Sequence, residues 1–153
     1  MTGAQIRRNV SLTRGLAVGV VFAALAAVGS TSPAQAADFS GTYDLQIGGE
    51  NVATWVITPC GAESFIPCVH VAQTGGVMQP FNGDANLSVG YWTMVAERAD
   101  AIGCDDGRQF SAPTTYSWDA VTLAGQISAN NGGMCGGTPA SLSTPFTLMK
   151  ASG

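Results

Sequence analysis

The chain has 153 residues, with ten Asp and Glu against six Lys and Arg, one histidine and four cysteines. That length fits one domain with a modest core. The acidic balance speaks against a nucleic-acid partner, which needs rows of cations to neutralise phosphates, and equally against anionic lipid headgroups.

Residues 1–36 read as a secretory signal peptide. Arg7, Arg8 and Arg14 precede an apolar run, Gly15 to Gly29, and small residues then lead to Ala34-Gln35-Ala36. Positive start, short apolar centre and Ala-x-Ala site are the three parts of such a segment, with cleavage expected after Ala36. The run is short for a membrane span, so no span is expected after cleavage, although a retained anchor is the alternative. Arg7-Arg8 invites a twin-arginine reading, but Ser11 stands where that signal prefers an apolar residue, which favours general secretion. The expected destination is the extracellular space. Residues 37–153 would then form a single secreted domain with Arg98, Arg108 and Lys150 against ten acids, a net charge of −7.

Beyond residue 36, apolar residues alternate with polar ones over short runs, which is the signature of strands with one buried face. Eight runs are predicted: 41–47, 52–58, 67–73, 79–87, 91–98, 109–118, 121–129 and 143–150. Tyr43, Leu45 and Ile47 set the rhythm in the first; Trp92, Met94 and Ala96 keep it in the fifth. Turn chemistry separates the runs at Gly48-Gly49, Gly75-Gly76, Ser88-Val89-Gly90, Cys104-Asp105-Asp106-Gly107 and Asn130-Asn131-Gly132-Gly133. Short connections make successive strands antiparallel neighbours. The expected fold is all-β, an antiparallel meander of about eight strands forming a small barrel or a sandwich. Pro145, near the start of the last run, suggests that this strand lies or begins at an edge, which counts against full closure.

Four cysteines allow three pairings. Cys60 and Cys68 flank one loop, while Cys104 and Cys135 sit in loops after the fifth and seventh runs, which a meander returns to the same end. Cys60–Cys68 and Cys104–Cys135 are therefore the favoured pairs, in keeping with an oxidising destination. A metal or redox pair is the alternative, but neither spacing is Cys-x-x-Cys, and no metal or cofactor is expected.

His70 could be an axial ligand or general base inside a barrel, but its phase, opposite to Val69 and Val71, turns it away from the core. Asp100, Asp105 and Asp106 surround Cys104 without calcium-loop spacing and read as turn residues. Tyr43, Trp55, Trp92 and Trp118 are the candidate ligand-binding residues, because aromatic rings can line an apolar cavity or stack on a sugar; packing in the core is the competing role. No Gly-x-Ser-x-Gly elbow is present, and one histidine leaves few triads. Glu97, Asp100 and Asp119 remain candidates for a carboxylate pair.

Ser40-Gly41-Thr42-Tyr43-Asp44-Leu45, opening an eight-run meander, resembles the Gly-x-Trp start of lipocalins and related calycins, with Tyr43 in place of the tryptophan. The Thr-Asp-Tyr motif of lipocalins is absent. Over most of residues 37–153 the chain also resembles small secreted proteins of mycobacteria and their relatives. That likeness rests on the frame Trp55…Pro59-Cys60…Cys68-Val69, Gly90-Tyr91-Trp92-Thr93, Cys104-Asp105-Asp106-Gly107 and Tyr116-Ser117-Trp118-Asp119. It implies an exported protein of the bacterial envelope or beyond and carries over no functional residues. The resulting expectation is a non-enzymatic binding protein whose partner is a small apolar ligand or an envelope or host protein. The alternatives are a cell-wall glycoside hydrolase using paired acids and a purely structural secreted domain.

Overall fold

The computed structural model describes residues 39–61 and 64–152. The expected signal segment lies outside the described residues. Eight strands follow one another: β1 (Gly41–Ile47), β2 (Glu50–Pro59), β3 (Cys68–Gly76), β4 (Phe81–Ser88), β5 (Tyr91–Gly103), β6 (Gln109–Asp119), β7 (Ala124–Asn130) and β8 (Ser141–Lys150). Each pairs antiparallel with the next, and β8 returns to β1, so the sheet is a closed barrel. There are no helices among the described residues, and none is long and apolar enough to cross a membrane.

Period-two patterning carries this fold. In β5, Trp92, Met94, Ala96 and Arg98 point inward and are buried, while Tyr91, Thr93, Val95 and Glu97 face out. Closing the sheet removes its edges. It does so despite Pro145, which lies inside β8, where sequence alone argued for an edge. The stagger of the strands explains the difference. β8 pairs with β7 along Ser141–Thr147 but with β1 only from Thr147 onward, so at Pro145 the strand has a single neighbour. Pro113 in β6 occupies an equivalent place, opposite Glu97 of β5 and one residue before pairing with β7 starts. A missing N–H is tolerated where a strand has one free side.

The barrel has two unlike ends. The chain enters at one, called here the entry end, which also holds the loops 60–67, 89–90 and 120–123. The far end holds the loops 48–49, 77–80, 104–108 and 131–140. Cys60–Cys68 fastens the entry end, and Cys104–Cys135 ties two far-end loops together. On the chain-entropy scale these bridges contribute about 2.5 and 3.5 kcal/mol. Both suit an oxidising compartment.

Gly76 shows one limit on the sequence. Its φ is +97°, and an added Cβ would collide with the Val52 carbonyl, so this corner of β3 accepts no side chain. Gly125 is constrained by crowding alone, since a Cβ there would meet the Ser117 carbonyl and the Trp118 side chain.

Candidate functional site

The aromatic residues singled out from sequence meet one another inside the barrel. Tyr43, Trp55, Trp92 and Trp118 are each 4% exposed or less. The Trp55 ring lies 5.5 Å from both Tyr116 and Trp118, 5.8 Å from Phe146 and 6.2 Å from Phe81, mostly in edge-to-face contact. Such pairs add about 0.5–1.5 kcal/mol each beyond the area they bury. At the entry end Phe39 plugs the mouth, stacked on Trp92 at 5.4 Å and tilted against Tyr43 at 5.1 Å. Burial raises the Tyr43 hydroxyl pKa. The indole N–H of Trp118 is buried with no acceptor among the described residues.

Toward the far end the interior turns polar. Trp55 donates its indole N–H to the Gln73 Oε1 at 3.0 Å, and Gln73 Nε2 donates to the Gln79 carbonyl at 2.7 Å. Arg98, 7% exposed, donates through Nε and Nη2 to the Asp100 carboxylate at 2.6–3.0 Å and through Nη1 to the Tyr116 hydroxyl at 3.1 Å. A register irregularity in β5 between Arg98 and Ile102 accompanies this arrangement. Burial alone would raise the Asp100 carboxyl pKa, but the Arg98 donors and charge outweigh it and hold the group below its usual value. Burial likewise lowers Arg98, and Asp100 with Tyr116 more than restores it. Burial pushes the Tyr116 hydroxyl up against the pull of Arg98. Sequence reasoning missed this network. Its signal was phase, because Gln73 continues the inward series Val69, Val71, and Arg98 continues Trp92, Met94, Ala96.

The remaining candidates are engaged elsewhere. His70 sits on the outer wall, its Nδ1 2.7 Å from the Asp84 carboxylate on β4. Glu97 faces solvent. Asp119 caps a turn, accepting from the Thr122 and Val121 backbone N–H groups, which lower its pKa. Asp106 accepts from the Arg108 backbone and side chain within the turn 104–108. Cys60, Cys68 and Asp84 lie close enough to hold a metal ion, but the two sulfurs are bonded to each other, so they offer no thiolates.

One feature of the surface is not explained by packing. The entry-end loops display Phe65, Ile66, Val89 and Val121, which are 105%, 54%, 96% and 88% exposed. All four border one open depression of about 470 Å³, formed by residues 65–67, 87–90 and 120–121. Val89 and Gly90 are the two central residues of the hairpin between β4 and β5, with φ of +49° and +80°. Two positive φ values define a type I′ turn, whose first position favours Asn or Asp. A β-branched residue in the left-handed region is a true outlier, at a cost of about 1–3 kcal/mol. The protein thus holds a valine under strain where it touches almost nothing of its own chain. Sequence marked Ser88-Val89-Gly90 as a turn and passed over Phe65 and Ile66.

No family model matches the chain, and no curated protein or solved structure is found to be similar to it.

Proposed function

We propose that the protein is an exported, non-enzymatic binding protein that works through the apolar rim at its entry end. The observation that carries this reading is the rim itself, with four exposed apolar side chains on three loops around one depression and one of them held in a strained turn. Exposed apolar clusters of this kind mark interaction sites, and backbone strain gathers where a protein contacts its partners. The filled aromatic interior favours the rim over the barrel lumen as the binding surface. Export fits the two disulfides and the leader-like residues 1–36.

Cell fractionation of the producing organism tests this reading. The wild-type protein is expected in the envelope fraction, and the triple variant Phe65→Ser, Val89→Asn, Val121→Thr in the medium at equal total yield. Equal partitioning of the two forms contradicts the proposal.

A further inference from the structure

The rim and the N-terminal apolar run belong to the same end of the molecule. Phe39 fills the entry mouth, and β1 starts there at Gly41. The run Gly15 to Gly29 ends ten residues before Phe39. Ten residues span at most about 35 Å. While that run occupies a membrane, before cleavage after Ala36, the entry end is therefore held within about one bilayer thickness of it.

Charge narrows what the rim can meet. The loops 60–67, 89–90 and 120–123 contain no Lys or Arg, and the charged groups within them or next to them in sequence are acids, Glu63 in the first loop and Asp119 capping the third, so nothing there recruits anionic headgroups. The shape is equally specific, with fully exposed tips on separate loops and Tyr91, half exposed, directly behind Gly90. Apolar tips that enter the acyl boundary, with an aromatic hydroxyl at headgroup level, suit a membrane interface.

We propose that the rim's partner is the surface of an uncharged, zwitterionic lipid bilayer, into which Phe65, Ile66, Val89 and Val121 insert. This rests on the rim being the binding surface. Docking needs no cation and is driven by apolar burial. The lipid therefore need carry no net charge, and added salt does not release the protein.

Flotation with phosphatidylcholine vesicles tests it. The form starting at Ala37 is suitable, because every strand, Phe39 and both disulfides lie within it. The wild type is expected to float, Phe65→Ser to bind about tenfold more weakly and Val89→Asn several-fold more weakly, from the apolar area each removes. Val89→Asn also relieves the turn, so it should unfold at a higher urea concentration than wild type, and its weaker binding cannot be ascribed to misfolding. Replacing part of the lipid with phosphatidylglycerol should not strengthen binding. The proposal is overturned if the wild type stays with the pellet, if both variants float equally well, or if binding requires anionic lipid. Failure to float combined with rim-dependent envelope retention would assign the rim to a protein partner. Failure of both experiments would end the rim reading itself.

Discussion

The two ends of the barrel solve the same problem in opposite ways. Each mouth must be sealed, because a small barrel exposes its interior wherever the strands stop. Alongside Met78 and Phe81, and with Val77 exposed in one loop, the far end is sealed by polar groups that satisfy one another. Arg98 spans Asp100 and Tyr116, Gln73 spans Trp55 and Gln79, and Cys104–Cys135 binds the loops outside. The entry end is sealed by an apolar ring, Phe39 against Trp92, Tyr43 and Trp118, and carries apolar residues on to its surface. Polar closure is self-contained, since buried polar groups are costly only when unpaired. Apolar closure leaves surface that gains from a further partner. On the function proposed above, the end that looks less finished is the one that binds.

The largest expected effect comes from breaking the far-end seal. Arg98→Met takes the guanidinium from the buried Tyr116 hydroxyl and from the Asp100 carboxylate, which keeps the Gln79 backbone N–H, at a cost of about 3–5 kcal/mol. Urea unfolding measures it, and a loss below about 1 kcal/mol would mean that the network is dispensable. Removing the far-end bridge with the paired variant Cys104→Ser, Cys135→Ser should cost about 3.5 kcal/mol on the chain-entropy scale, read from the same unfolding curves.

The two indoles sharpen the contrast further. Trp55→Phe strands the Gln73 side chain, whereas Trp118→Phe removes an N–H that has no acceptor among the described residues. Both lose similar apolar area, so the first should be the more destabilising by about 1–2 kcal/mol. Equal losses would show that the far-end hydrogen bond contributes nothing.

Acid should also loosen the far end. Asp100 has a folded-state pKa below its ordinary value. Its stabilisation is therefore fully present above the unfolded value, near pH 4, and is lost as pH falls through the folded value. Unfolding free energy should drop below about pH 4, and Asp100→Asn should drop less steeply over the same range. An identical acid slope in both proteins would remove Asp100 from the account. The smallest effect on the fold is expected at the rim, where Phe65→Ser and Val121→Thr should each change stability by less than about 0.5 kcal/mol.

The strands were readable because each places one face inward. Seven of the eight expected runs begin or end within three residues of a real strand boundary at both termini; the fifth stops at residue 98, whereas β5 runs on to Gly103. The extension follows an irregularity that period-two reading cannot cross. Both disulfides were legible for the same reason as the topology, since a meander fixes which loops share an end. Pro145 misled because the restriction that proline imposes is local to one side of a strand, while closure depends on stagger along its whole length. The buried network went unread, although part of its signal was present. Phase could have placed Arg98 and Gln73 inside had it been followed past Ala96 and Val71, but their partners Tyr116 and Trp55 lie 18 residues away in sequence and are set by register. The rim was the least legible, because exposure and a positive φ at Val89 are properties of the folded turn and leave no periodic trace.

Amide hydrogen exchange, with and without the producing organism's envelope fraction, compares the two ends in a single measurement. Slowed exchange is expected at residues 64–67, 88–91 and 120–122, with the far-end loops 77–80 and 104–108 unchanged. Protection confined to the far end, or no protection at the rim, would contradict the assignment of binding to the entry end.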